Sequence, residues 1–363
     1  MHKFIYLDHA ATTPICEAAK EEIREHLDDF GNPSSAHELG RNSRVLIEDA
    51  RGRIAKCINA EPDEIYFTSG GSEANTWALY DRVSISSKFE HHSVKAHCNN
   101  VWIDNDGFVK KDFFSHINHP LAKYFEIGSC MYVNNELGTI QPIKEIAAIM
   151  HGKHMLFHTD AVQAVGHIPI NVKDLNCDML SASAHKFGGP KGIGFLYVKN
   201  DIELKPLIHG GSQEQHKRGG TENIIGIISM ATALEDATMH MDERNTYIKY
   251  LRDKMLNKLL KIPGAHLNGS LNNRVCGNIN IRFDGVSGAR LVSLCSLYGV
   301  YISSGSACNE GVSEPSHVLR SIGLTDEEAL SSIRITIGHT NTESDIDQAI
   351  NIITELVERC RDE

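Results

Sequence analysis

Apolar positions fall at helical spacing in EAAKEEIREHLDDF (17–30) and again from Glu38 to Ile58. Both stretches are predicted to be amphipathic helices. EIYFTSGG (64–71) is a short apolar run that closes on a glycine turn, and SEANTWALY (72–80) then reads as a helix with Ser72 near its N-cap. CMYVNN (130–135), MLFHTD (155–160), DMLSAS (178–183) and GIGFLYV (192–198) are strand-like runs, several ending in polar residues, and a helix from Ile143 to His151 separates the first two. This alternation predicts an α/β domain around a mainly parallel sheet. Ligands of such sheets collect where strands end and loops begin, so the polar strand ends are the first candidates for chemistry.

From Asn223 to about Leu260 the pattern predicts one long helical stretch. After Pro263 the character changes. GNINIRF (277–283), VYIS (300–303) and SIRITIG (332–338) read as strands, with helices near Ala289 to Leu297, near Pro315 to Ile322 and after Ser344. These elements predict a smaller α+β domain, with its boundary somewhere in 245–262.

Composition narrows the function classes. With 36 Lys plus Arg against 47 Asp plus Glu, the formal charge is −11, so there is no overall pull towards nucleic acid or anionic lipid. No apolar run has the length of a membrane span, and Asp8 interrupts the start too early for a signal-peptide core. The expected compartment is the cytoplasm. The nine cysteines form no CxxC pair, which argues against a disulfide framework and against a zinc site, and no metal is expected.

Three stretches carry candidate chemistry. In SASAHKFGGPKGIG (181–194), Lys186 follows a strand and precedes a glycine-rich segment, a setting for a Schiff-base amine. A lysine in a loop is more commonly just solvated, but Ser183 and His185 beside it could bind a phosphate. GGSEAN (70–75) leads a strand into a helix N-terminus, where free N–H groups favour an anion, although it matches neither GxxxxGK[ST] nor GxGxxG. HTDAVQAVG (158–166) puts Asp160 at a strand end with Gln163 three residues on. Such an acid can serve a protonated pyridine nitrogen, or simply cap a helix.

Taken together, YLDHAATTP (6–14), GNPSSAH (31–37), FTSGGSEAN (67–75), EHHSV (90–94), VNNELGTIQP (133–142), HTDAVQAVG (158–166), SASAHKFGGPKGIG (181–194), RGGTEN (218–223), SSGSAC (303–308) and SIRITIG (332–338) follow one another in a familiar order. The chain resembles cysteine desulfurases of the NifS/IscS type, within the class-V aminotransferase branch of fold-type I pyridoxal phosphate enzymes. The resemblance implies a large cofactor-binding domain over 13–250 with a mainly parallel seven-stranded sheet. Residues 1–12 and 251–363 would form the small domain that carries the catalytic cysteine loop.

It also implies roles. Lys186 would bind pyridoxal 5'-phosphate covalently and move the substrate α-proton. His91 would stack on the pyridine ring and act in acid–base steps, Asp160 would keep the ring nitrogen protonated, and Gln163 would bond the phenolic oxygen. Gly71, Ser72, Ser183 and His185 would cradle the phosphate. Thr221 would reach the phosphate of a neighbouring subunit, which implies a homodimer. Arg334 would clamp the substrate carboxylate with help from Asn135. Cys308, in a Ser- and Gly-rich stretch that suits a reactive thiol, would take the sulfur of L-cysteine as a persulfide. Its loop would then deliver that sulfur to an acceptor protein serving iron–sulfur clusters, tRNA thiolation or DNA phosphorothioation.

Two departures from the family pattern stand out. The segment 80–90 is short, so part of a strand or a helix is expected to be missing there. The chain also stops at Glu363, without the longer tail with which some relatives dock a scaffold protein. A class-V aminotransferase or a selenocysteine lyase would share Lys186 and Asp160, and a non-catalytic scaffold would share only the fold.

Overall fold

The computed structural model describes residues 4–101, 106–109, 124–304, 308–309 and 312–362. Seven strands form the large sheet: β1 (Ile65–Thr68), β2 (Ser84–Ser87), β3 (Cys98–Val101), β4 (Ile127–Ser129), β5 (Leu156–Asp160), β6 (Met179–Ser183) and β7 (Gly194–Val198). Their spatial order is β1-β7-β6-β5-β4-β2-β3. β7 runs antiparallel to both of its neighbours, and the remaining pairs are parallel. The sheet is therefore mainly parallel, as the alternating pattern predicts. Because β1, β5 and β6 share one direction, their C-terminal ends emerge on one edge of the sheet. That edge collects Gly70–Gly71, Asp160 and Ser183.

Helices cover the sheet because their apolar stripes need a partner. In the helix Glu38–Ile58 the buried Ile47, Ala50, Ile54 and Ile58 recur at three- and four-residue steps. They pack against the helix Ile224–Met239 in a core shared with Phe67, Phe157, Phe195 and Leu180. A second core cluster surrounds a four-stranded antiparallel sheet ordered Ser303–Ser304, Ser332–Thr336, Asn278–Phe283 and Ala265–Leu267. It includes Leu251 and Met255 from one helix, Leu291 from another and Ile353 from the last. Ile5 and Leu7 from the N-terminus join it, and Ile5–Tyr6 pairs in parallel with Val300–Tyr301.

The structure corrects several expected elements. The first helix ends at Glu25 rather than running to 30, because the chain turns at His26, whose Nδ1 lies 2.6 Å from Asp29 Oδ2. The helix of the glycine turn begins at Gly71 with Gly70, not Ser72, as its cap. The strand expected at 130–135 lies earlier, at Ile127–Ser129; beyond it Cys130 and Tyr132 still donate to the carbonyls of His158 and Asp160, at 3.1 and 2.8 Å. The long helical stretch is two helices, Ile224–Met239 and Met241–Leu259, broken at His240. Asp236 holds that corner: its carboxylate lies 2.8 Å from Arg244 and its carbonyl 3.0 Å from His240 Nδ1.

The short 80–90 segment keeps its strand. β2 is made of Ser84, Ile85, Ser86 and Ser87, all buried between β4 and β3. Among the described residues no helix is long and apolar enough to cross a membrane. The eight cysteines with described side chains are all free thiols.

Candidate active site

The edge where β1, β5 and β6 end opens into a cavity of about 350 Å3. Ten of the residues singled out from the motifs line it: Gly71, Ser72, His91, Asn135, Asp160, Gln163, Ser183, His185, Lys186 and Arg334. Two are placed elsewhere. Thr221 lines a separate pocket with Thr68, Ser69 and Gly220. Cys308 has its backbone in a short hairpin, paired opposite Ser313, and its side chain lies outside the described atoms.

Lys186 ends a single turn of 3-10 helix that follows β6 directly. Its ammonium donates to the Ala10 carbonyl at 2.6 Å and the Ala11 carbonyl at 2.8 Å. Burial, with the Arg334 charge adding, lowers its pKa from 10.5 to about 8. Desolvation disfavours the charged form, so a neutral, nucleophilic amine becomes available close to physiological pH. Acylation of Lys186 in cofactor-free protein should therefore rise through its half-maximum near pH 8. A midpoint at the ordinary lysine value of 10.5 would contradict this environment.

Asp160 closes β5, only 4% exposed. One carboxylate oxygen accepts from the Val162 N–H at 3.0 Å, and the other from Asn75 Nδ2 at 2.6 Å. The same Asn75 amide donates to Ser93 Oγ at 3.0 Å, and Ser93 Oγ lies 2.7 Å from His91 Nδ1. The Ser93 N–H also donates to that nitrogen at 3.2 Å. With Nδ1 accepting, the neutral ring carries its proton on Nε2. Desolvation holds His91 below the usual histidine range; Asp160 opposes this, while His92 and Lys186 add to it. A single hydrogen-bonded chain thus joins His91 to Asp160 across the cavity wall.

Another part of the cavity wall suits an anion. The helix Gly71–Leu79 starts there, and its first N–H groups lack partners within the helix. Gly70 has φ of +150°, which a side chain would resist. At Gly71 an added Cβ would sit 2.5 Å from Val162 Cγ2. The turn can therefore pack against Val162 at the cavity wall only with glycine at 71. His185 lies 3.1 Å from Thr12 Oγ1, and burial lowers its pKa to about 4, so it is neutral at pH 7.

Arg334 projects from the strand Ser332–Thr336. It donates to the Asn135 carbonyl at 3.0 Å and to Asp8 Oδ1 at 2.8 Å, while its Nε is buried without a partner. Gln163 donates to the Ala10 carbonyl at 2.8 Å. Ala10 and Ala11, Asn75, Ser93 and Asp8 all belong to the site, yet the motif reading gave them no role. All five lie inside the motifs YLDHAATTP, FTSGGSEAN and EHHSV, which is the available signal. Glu90, next to His91, is fully buried; burial raises its pKa to about 8, so it is mostly protonated at neutral pH.

The cavity fits a phosphorylated pyridine aldehyde in three respects. It has a lysine amine poised to become neutral, a fixed carboxylate across from it, and a glycine-lined helix N-terminus for a phosphate. A buried acceptor, Asn75 Oδ1, also stands without a partner at its wall.

The comparisons with known proteins agree with this geometry. The model of the family "Aminotransferase class-V" matches residues 5–349. "Cysteine desulfurase IscS" of Methanosarcina thermophila is 40% identical over 385 residues, covering 99% of this chain and 93% of its own. A solved structure of a NifS-like protein superposes with a TM-score of 0.91 at 32% identity, covering 98% of this chain and 100% of its own. Another, described as SspA in complex with cysteine, gives 0.79 at 32% identity over 93% and 99% of the two chains. Enzymes of this family depend on pyridoxal phosphate. The chain belongs to the class-V aminotransferase family, in its branch of NifS/IscS-type cysteine desulfurases.

Proposed function

We propose that this protein is a pyridoxal phosphate-dependent L-cysteine desulfurase, with Cys308 as the sulfur-accepting thiol. The observation that carries the reading is the pairing of Lys186, at a pKa of about 8, with Asp160 and Arg334 around one cavity. Pyridoxal phosphate, when bound, supplies an electron sink next to the substrate α-carbon.

The chain's own residues do the rest. Lys186 would hold the cofactor through its amine and, when free, would move the proton of the substrate α-carbon. The Asp160 carboxylate, oriented by Asn75 and Val162, would accept from a protonated ring nitrogen. His91, with its proton on Nε2, would lie against the ring and serve in acid–base steps. The helix N-terminus at Gly71–Ser72, with Ser183 and His185, would hold the phosphate, and Gln163 would bond the phenolic oxygen. Arg334 receives the substrate carboxylate beside Asn135. Its present bonds to Asp8 and the Asn135 carbonyl fix the guanidinium plane and use two of its five N–H donors, which leaves others for that carboxylate.

Cys308 then takes the sulfur. The carbon–sulfur bond of cysteine breaks, a sulfur–sulfur bond forms on Cys308, and a proton is returned to carbon. L-cysteine and one thiol become L-alanine and one persulfide, with no external oxidant. The cysteine held by the SspA structure supports this choice of substrate.

Thr221 lies outside the Lys186 cavity, which agrees with a role towards a second copy in a homodimer. Arg218 braces that segment, donating to Glu73 at 2.9 and 3.2 Å. Residues 13–250 would serve as the cofactor domain, and 1–12 with 251–363 as the cap carrying Cys308. A sulfur-acceptor protein and a reducing cytoplasm complete the proposal, and the free thiols are in keeping with that compartment.

The test is alanine production from L-cysteine by the cofactor-loaded protein with a thiol reductant. Alanine and sulfide in equal amounts are expected. Keto-acid formation without sulfide would favour a transaminase instead.

A further inference from the structure

The segment that carries Cys308 is tied to the cofactor cavity on both sides. Before Cys308, Ser303 and Ser304 pair antiparallel with Arg334 and Ile333. The incoming chain thus rests on the strand that bears the substrate-facing arginine. After Cys308, the chain re-enters at Ser316, a 4% exposed residue that caps the helix His317–Ser321. The Ser316 hydroxyl donates to Glu136 Oε2 at 2.5 Å and accepts from the N–H groups of Val318 and Leu319, at 3.1 and 3.3 Å. His317 donates from Nε2 to the Glu90 carbonyl at 3.0 Å, one residue before His91.

Glu136 is an expensive residue to bury, at 7% exposure. Its backbone is held from several directions. Asn134 Oδ1 accepts from the N–H groups of Glu136 and Leu137 at 2.9 and 2.8 Å, and Asn278 and Asn280 donate to the Glu136 carbonyl at 3.0 and 3.2 Å. The carboxyl does not line the cofactor cavity. Apolar residues in place of both Glu136 and Ser316 would commonly serve stability as well. The carboxyl's contact with the residue where the Cys308 segment lands gives it a different use.

We propose that Glu136 is a positioning residue: through Ser316 it seats the foot of the chain that returns from Cys308 on the turn that carries Asn135, and the rate of sulfur transfer depends on that seat. The proposal rests on the desulfurase reading. It goes beyond it by tying the rate of sulfur transfer to a hydrogen bond outside the cavity. Displacing a reacting group by about 1 Å can cost up to roughly 100-fold in rate, so one lost bond at the foot of the segment is enough to be seen.

The test compares Glu136→Met, which keeps volume but removes the acceptor, with Glu136→Gln, which keeps an amide oxygen for the Ser316 hydroxyl. In cofactor-loaded protein, Glu136→Met should lower kcat for alanine formation by about 10-fold or more, with L-alanine binding, read from the cofactor spectrum, within about 3-fold. Glu136→Gln should restore kcat to within about 3-fold of the parent. Iodoacetamide labelling of Cys308 in cofactor-free protein, followed by peptide mass, should change by at least about 3-fold in Glu136→Met and not in Glu136→Gln. Three results would overturn the proposal: an unchanged kcat in Glu136→Met, equal impairment of both variants, or a loss of L-alanine binding that matches the loss of rate. If the parent made no alanine from cysteine, the desulfurase reading would fall, while the labelling comparison would still judge the seat by itself.

Discussion

Replacing Lys186 with alanine should abolish covalent attachment of the cofactor and lower alanine formation by at least about 1,000-fold, as expected when a covalent anchor and a proton-transfer group are lost together. Only Lys186 among the cavity's residues combines a primary amine with a pKa near 8. The substitution removes a partly desolvated charge whose described partners are two backbone carbonyls, so the fold should persist. The check is a reductive-trapping experiment with peptide mass, run beside circular dichroism. A variant that keeps the parent's rate would mean that this cavity is not where the reaction occurs.

Replacing Cys308 with alanine is the second large effect. Desulfuration should fall by at least about 1,000-fold, because removing a nucleophile removes the step rather than slowing it. Cofactor binding and the spectral response to L-alanine should stay at parent levels, since neither uses the thiol. The two variants thus separate attachment from sulfur transfer. Retained alanine formation from cysteine in Cys308→Ala would overturn the role of this thiol and reopen the lyase and transaminase readings.

Much of this site is legible in the sequence, because its residues sit at strand ends and glycine turns that local sequence marks. β5, β6 and β7 begin within two residues of the expected starts and end where expected, which places Asp160 and Ser183 at one edge. Other features were hidden for physical reasons. β2 is three serines and an isoleucine, and its place in the sheet comes from pairing with β3 and β4 rather than from its own hydrophobicity. The corner at His240 has helical residues on both sides, and the contacts of Asp236 with His240 and Arg244 mark it. The Arg334–Asp8 ion pair joins residues 326 positions apart. The Glu136–Ser316 bond likewise spans 180 positions. No local period encodes such contacts, since they exist only once the two sheets have formed. Asn75 was within a quoted motif, but its bond to Asp160 required the fold.

The same distinction explains the choice of charged groups. Asp160 keeps two donors, whereas the neighbouring Glu90 is buried and raised to about 8. Glu90 does not line the cavity, so Asp160 is the one carboxyl group among the residues that line it.

The most direct measurement is a single turnover: cofactor-loaded protein mixed with one equivalent of L-cysteine, without reductant, followed by quantification of alanine and peptide mass. The account predicts one alanine per active site and a gain of one sulfur atom on the peptide containing Cys308, removed by a thiol. Alanine without added sulfur on Cys308, or added sulfur confined to another cysteine, would contradict it.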